Sequence, residues 1–169
     1  RFAGGGGTVG DGVGRKPAVP REVWRLCGVL LDRGLGEQRL FLDSGDEAQV
    51  REIRECIDTG TPLGEHLHPR SIAEALVQLL RSMPVPVIPP KFRKQCVEQR
   101  QSAAACWNVL MSMPEEHVSL LIYLVSLLRE LLLESHSNKL TPEALALLMS
   151  AVLMESDWSK FEDGLENTM

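Results

Sequence analysis

Four groups of residues in this chain have types and spacings from which chemistry could be built. His66 and His68 lie two apart and invite a metal ion, but a zinc site needs three or four ligands at short spacing and no others stand near them, so they read as surface histidines. Gly4-Gly5-Gly6-Gly7, with Gly10, Gly12 and Gly14, could cradle a phosphate only between a strand and a helix N-terminus, with a Lys-Ser/Thr pair for a P-loop. That context is missing, and the glycines read as a linker. Cys106, His117 and Ser119 form no nucleophile–base pair and read as helix-surface or core residues. The fourth group is the turn Leu40-Phe41-Leu42-Asp43-Ser44-Gly45: an apolar pair, an Asp/Ser cap and a glycine between two helical patterns. Taken alone it is an ordinary helix entrance.

Composition narrows the classes. With 169 residues and 44% apolar content, the chain has enough material for one domain with a real core. Arg1 is not an initiator methionine, so the chain is expected to be a piece of a longer polypeptide. Eighteen basic against 23 acidic residues give a net charge of −5, which argues against a dedicated nucleic-acid binder. It argues less strongly against anionic lipid, because a local patch can still be basic. Cys27, Cys56, Cys96 and Cys106 have no C-x-x-C spacing and suit buried or surface thiols in a reducing compartment. No signal peptide is visible, and the apolar run at 118–128 stops at Arg129 and Glu130, well short of the ~20 residues a membrane span needs. No cofactor is indicated, and a soluble, cytoplasmic chain is expected.

The positioning elements follow from periodicity. Residues 1–18 read as a flexible Gly-rich linker, 19–154 as a helical domain and 155–169 as an acidic tail in which Trp158 and Phe161 could dock one final turn. Val23, Leu26, Cys27 and Leu30 recur at helical spacing, with Trp24 and Leu31 beside that stripe and Gly34 as a left-handed C-cap. Val50, Ile53 and Ile57 mark a second helix ended by Gly60 and Pro62. Ser71 and Glu74 have the form of a capping box opening a third, whose buried stripe is Ile72, Ala75, Leu76, Leu79, Leu80 and Met83.

Pro84, Pro86, Pro89 and Pro90 then force an extended connector whose valines and isoleucine are expected to anchor on the core rather than serve an SH3-type domain. Two short helices follow, over 92–99 and 102–111. The longest helix runs from about 115 to 134, is apolar around most of its circumference and is therefore expected to be central. Ser137-Asn138-Lys139 reads as a turn, after which Thr141 caps a last helix with Pro142 at its first position. The class is all-α, an irregular bundle of about seven helices.

The order of these landmarks resembles the GTPase-activating fold for Rho-type small GTPases, the RhoGAP fold. Phe41-Leu42-Asp43-Ser44-Gly45 is similar to the family's Phe-Arg-x-Ser-Gly. The helix ending in Arg81-Ser82-Met83-Pro84-Val85-Pro86 is similar to its leucine-rich helix ending in Arg-Glu-Leu-Pro-Glu-Pro. Met113-Pro114, Asn138-Lys139-Leu140 and Ala144-Leu145-Ala146 are similar to Leu-Pro, Asn-x-Met and Asn-Leu-Ala. Val19-Pro20-Arg21-Glu22-Val23-Trp24, Arg54-Glu55-Cys56-Ile57-Asp58-Thr59-Gly60 and Leu127-Leu128-Arg129-Glu130-Leu131-Leu132 resemble one branch, the C-terminal RhoGAP-like domain of type II inositol polyphosphate 5-phosphatases. The resemblance fades after Leu153, so the bundle is expected to be incomplete at its C-terminal end.

The resemblance implies a module for signal transduction and membrane trafficking, including endocytosis, with a phosphoinositide 5-phosphatase upstream and peripheral placement on endosomal or Golgi membranes. The implied partners are Rho-family small GTPases of the Rac/Cdc42 type and endocytic-adaptor peptides with Phe/His motifs. The family's chemistry is an arginine inserted against the GTP phosphates. That finger position here is Leu42, and the family's other polar positions fall on Val77, Ala144 and Val152, so a non-catalytic pseudo-GAP is expected. Arg81 is retained, as a GTPase contact or as an ion-pairing residue, and Trp24 is a partner anchor or core packing. An active enzyme would have to use a displaced arginine, with Arg39 and Arg51 nearest in sequence.

Overall fold

The computed structural model describes residues 19–154. The linker at 1–18 and the acidic tail with Trp158 and Phe161 lie outside the described residues. The described residues form eight helices and no strand: α1 (Arg21–Arg33), α2 (Glu47–Thr59), α3 (Pro69–Arg81), α4 (Pro90–Glu98), α5 (Ala103–Met111), α6 (Glu115–Leu133), α7 (Ser135–Asn138) and α8 (Pro142–Met154). The expected turn at 137–139 is in fact the single-turn helix α7, stopped by Lys139 at φ 60°.

Local chemistry sets most boundaries. Gly60 ends α2 in the left-handed region at φ 74°, Ser102 caps α5 and Thr141 accepts from Ala144 N at 3.2 Å to cap α8. Gly34 departs from expectation: it ends α1 in right-handed geometry, at φ −105°. Its need for glycine is steric instead, because a Cβ there would lie 2.9 Å from the Leu30 carbonyl oxygen.

α1, α2 and α3 pack together through Val23, Leu26, Cys27, Leu30, Val50, Ile53, Ile72 and Leu76, and α8 crosses α3. Each large aliphatic in that core contributes roughly 1.5–3 kcal/mol. α6 is not surrounded as its composition led us to expect. It buries Leu120, Leu121, Leu124, Leu127 and Leu131, while Ile122, Val125 and Leu133 are exposed on its far side. A wide apolar circumference reports what a helix could bury, not how many neighbours the topology supplies. The proline connector anchors through two of its three aliphatic residues: Val87 and Ile88 are buried, and Ile88 N donates to Leu153 O at 2.9 Å, whereas Val85 is exposed.

Cys27, at the centre of this core, is fully buried, and desolvation pushes its thiol up to about 12 from 9.0. At pH 8 that leaves about one thiolate in ten thousand, against about one in ten for an ordinary cysteine. Iodoacetamide at pH 8 is therefore expected to leave Cys27 unmodified in the native protein and to modify it on unfolding, as peptide mass spectrometry would register. Because folding holds this thiol neutral, its contribution to stability is present below the unfolded-state pKa and is lost as pH rises towards the folded value.

Candidate functional site

The turn between α1 and α2 is built from two non-glycine residues in the left-handed region, Arg39 at φ 54° and Phe41 at φ 69°. A bulky residue rarely adopts that conformation, and each such position costs of order 1–3 kcal/mol. Burial of both Leu40 and Phe41 holds the turn in place. Consecutive residues of an extended segment would point in opposite directions, and the positive φ values let both reach the core. Arg39 N donates to Asn138 O at 3.0 Å, and Leu42 N and Asp43 N both donate to Arg39 O. Leu42 is left at the outer edge of the turn, half-buried and packed on the core.

The turn is clamped onto the start of α3, and here the structure corrects the capping-box reading. α3 begins at Pro69 behind His68, so Ser71 and Glu74 lie inside it and accept from the turn instead. Ser71 Oγ accepts from Asp46 N at 3.0 Å, and Glu74 Oε2 accepts from Gly45 N at 2.6 Å. The cap of α2 is Asp46, which accepts from Gln49 N at 2.9 Å, and not Asp43 or Ser44. The Ser-x-x-Glu spacing is local, but its oxygens were claimed by donors far upstream in sequence.

Gly45 makes this approach possible, since a Cβ there would fall 2.5 Å from Ser71 Cα. We expect Gly45→Ala to force the turn off α3 and to cost about 1–3 kcal/mol in urea unfolding. An unchanged midpoint would show that the clamp does not hold the turn. Arg70 reinforces the clamp, with Nε on Glu37 at 2.9 Å, Nη1 on Asp43 at 3.4 Å and Nη2 on Gln38 O at 3.2 Å.

Between turn, α3 and α8 lies an open cleft of about 210 Å³, lined by Leu42, Asp43, Ser44, Val77, Arg81 and Leu148 among others. Ala73, Val77 and Arg81 form one row of α3 on its wall, and Glu74 flanks them. Both Glu74 oxygens are engaged, the second by Gln78 Nε2 at 3.1 Å. Among the residues lining the cleft, Arg81 carries the positive charge, against Asp43 and Glu74. Desolvation at the cleft lowers the Arg81 pKa below the usual guanidinium range, and the group stays protonated at neutral pH.

The structure thus brings Leu42, Val77 and Arg81 into one site. Ala144 and Val152 do not line it; they fall on the α8 row that presents Leu148 to it, Ala144 half-buried and Val152 buried. Arg39 does not line the cleft: its Nε is engaged by Asp43 Oδ1 at 2.8 Å. Arg51 faces a separate cleft of about 450 Å³ among α1, α2 and α3. Among the described residues no three His, Cys, Asp or Glu side chains group as a metal site. His66 meets Glu52 at 2.9 Å, while His68 accepts from Arg70 N at the head of α3. No helix among the described residues is long and apolar enough to cross a membrane.

Sequence reasoning passed over Asn138 as one member of a weak motif. Its side chain is fully buried and satisfied: Nδ2 donates to Leu35 O at 2.8 Å and Leu131 O at 2.7 Å, and Oδ1 accepts from Leu140 N at 2.9 Å. With its own carbonyl accepting from Arg39, it ties the turn to α6 and α8. Its neighbours Glu134, Ser135, His136, Ser137 and Lys139 are polar and read as an exposed turn, so no local signal marked it for burial.

Trp24 occupies a second place of interest. It is 60% exposed, which removes the core-packing reading. With Gly28, Val29, Asp32, Pro62 and Leu63 it lines an open groove of about 320 Å³. The far wall of that groove is stapled to α1: Arg25 donates to Cys56 O and Thr61 O, and Arg33 to Gly64 O and Glu65 O.

Comparison with known proteins agrees with this geometry. A model of the RhoGAP domain matches residues 20–157. The chain is 30% identical over 138 residues to mouse type II inositol 1,4,5-trisphosphate 5-phosphatase, covering 82% of this chain and 14% of that protein. It is 30% identical over 132 residues to mouse Rho GTPase-activating protein 8, covering 74% of this chain and 31% of that one. It therefore spans less than a third of the length of either relative. Among solved structures, human Rho GTPase activating protein 15 superposes with a TM-score of 0.76 at 19% identity, over 82% of this chain and 70% of that one. The BH domain from GRAF, the GTPase regulator associated with focal adhesion kinase, superposes at 0.74 and 18% identity, over 84% and 82%. The helical order, the turn docked on α3 and the span of the family model coincide: this chain belongs to the RhoGAP domain family.

Proposed function

We propose that this domain binds Rho-family small GTPases without accelerating their GTP hydrolysis, as an interaction module of a larger phosphoinositide 5-phosphatase working at endosomal or Golgi membranes. The observation that carries the reading is Leu42 at the edge of the clamped turn. An apolar side chain packed on the core has neither charge nor donor to offer a transferring phosphoryl group. Val77 and Leu148 extend that apolar surface across the cleft, and the Glu74 carboxylate on its wall disfavours an approaching phosphate. The names of several relatives, Rho GTPase-activating proteins, support the partner class.

Calorimetric titration with Rho-, Rac- and Cdc42-type GTPases, each loaded with a non-hydrolysable GTP analogue, tests the binding half. Saturable binding by at least one is expected, and Arg81→Ala, at the cleft rim, is expected to weaken it about tenfold. Absence of saturable binding to all three would overturn the reading.

The exposed Trp24 favours a second binding role at a separate groove, for adaptor peptides carrying Phe and His. An aromatic side chain can stack on the indole, and Asp32 at the groove edge suits a protonated or hydrogen-bonding imidazole. Gly28 stands in mid-helix, where glycine costs about 1 kcal/mol relative to alanine, and nothing lies within 4 Å of the Cβ it lacks. We expect Trp24→Ala to abolish peptide binding in calorimetry and Gly28→Leu to block it with the fold intact. Unchanged affinity in both would remove this groove as the peptide site.

A further inference from the structure

α5 carries an inconsistency that neither proposed site explains. Its sequence, Ala-Ala-Ala-Cys-Trp-Asn-Val-Leu-Met, has no charged residue, yet none of its residues is buried. Its principal neighbour is α4, against which it folds back as a hairpin through residues 99–102. Trp107 is 45% exposed on α5, and Val97 is 51% exposed on α4. Val109 and Leu110 pack half-buried against the core, so the open face is the one that carries Trp107, and an apolar face left open marks an interaction surface.

The charge of the hairpin says what covers it. Residues 90–102 hold Lys91, Arg93, Lys94 and Arg100 against Glu98 alone, in a chain whose net charge is −5. Lys91, Lys94 and Arg100 are exposed. Lys91 lies over its neighbour Phe92, with Nζ 4.8 Å from the ring centroid, and Lys94 meets Glu98 at 3.8 Å in a pair open to solvent. Such an exposed pair adds little and leaves the lysine available. The nearest acidic residues along the chain after Glu98 are Glu115 and Glu116, beyond the turn at Met113-Pro114.

We propose that the α4–α5 hairpin is a docking surface for an anionic bilayer, with Trp107 and Val97 entering the headgroup–acyl boundary and Lys91, Lys94 and Arg100 facing the acidic headgroups. Tryptophan favours that boundary because its ring is apolar and its N–H still finds a partner. A basic side chain near an anionic surface contributes about a fivefold gain in partitioning. The hairpin suits surface attachment: α4 and α5 are both far too short to span a bilayer.

The test uses the chain with Trp24→Phe and Trp158→Phe, so that Trp107 alone reports by fluorescence. Vesicles are phosphatidylcholine, or phosphatidylcholine with about 30% phosphatidylserine, a composition that sets up the anionic surface potential. Co-sedimentation and a blue shift of Trp107 emission are expected with the anionic vesicles only. Lys91→Gln/Lys94→Gln is expected to weaken partitioning about 25-fold, and Lys91→Arg/Lys94→Arg to preserve it. Both lysines are exposed, so these variants keep the fold. Equal binding to neutral and anionic vesicles, an unshifted Trp107, or a glutamine variant that binds like the parent would each overturn the proposal. So would concentration-dependent self-association that quenches Trp107 without vesicles, since the face would then be covered by a second copy.

Discussion

With this domain in excess, single-turnover GTP hydrolysis on Rho-, Rac- and Cdc42-type GTPases is expected to stay within about threefold of the intrinsic rate, where an inserted arginine would raise it by about 10³–10⁵. The expectation rests on what can reach a bound nucleotide from this cleft. Leu42 cannot neutralise charge developing on the phosphoryl oxygens, and Val77 lies beside it where a polar contact would be needed. Arg39 does not line the cleft, and its backbone is fixed by Asn138, so its guanidinium would need a different turn to substitute. Leu42→Arg alone is expected to recover less than about a hundredfold, because Asp43 and Glu74 on the same walls compete for the new cation. Acceleration beyond about a hundredfold by the unaltered domain would defeat the non-catalytic reading, and Arg81→Ala against Arg39→Ala would then identify the arginine at work.

Asn138→Ala is expected to be the most destabilising single substitution in the site. It removes one side chain and strands two backbone groups, the Leu35 carbonyl and the Leu140 N–H, while the Leu131 carbonyl keeps its bond from Glu134 N at 3.2 Å. Each buried group left unpaired costs about 1–3 kcal/mol, so a loss of about 2 kcal/mol or more is expected in urea unfolding. For a domain of this size that corresponds to a fall in Tm of about 6 °C or more. Asn138→Asp, nearly the same shape, is expected to be no better, because it replaces two donated hydrogen bonds with a buried charge facing two carbonyl oxygens. A loss below about 1 kcal/mol for the alanine variant would show that these groups find other partners and that the turn does not depend on Asn138.

The two results would separate two properties of the same turn. Hydrolysis reads the side chain it presents, and unfolding reads the anchor that holds it. A turn with two non-glycine residues at positive φ, a buried apolar pair and a clamp onto α3 is expensive to build.

Much of this architecture was legible in the residues themselves. The α1 stripe, the Gly60 stop, the Thr141 cap and the anchoring of Val87 and Ile88 all follow from rules that act within a few residues. The absence of an arginine at position 42 is likewise a property of the sequence and needed only a family frame to acquire meaning. What failed had a common cause. Ser71 and Glu74 have capping-box spacing, but Gly45 and Asp46 reach their oxygens first. Gly34 is required by contact with Leu30 rather than by left-handed geometry, and α6 has fewer neighbours than its apolar circumference could serve.

By itself, then, the sequence determined the all-α class, the run of helices and the leucine at position 42, because periodicity, capping and residue identity are local. Only the tertiary structure decided that Arg81 and not Arg39 lines the cleft, that Trp24 faces solvent and that Asn138 holds the turn. Each of those depends on which distant group arrives within hydrogen-bonding or van der Waals reach. Spacing along the chain carries no information about that until the helices are packed.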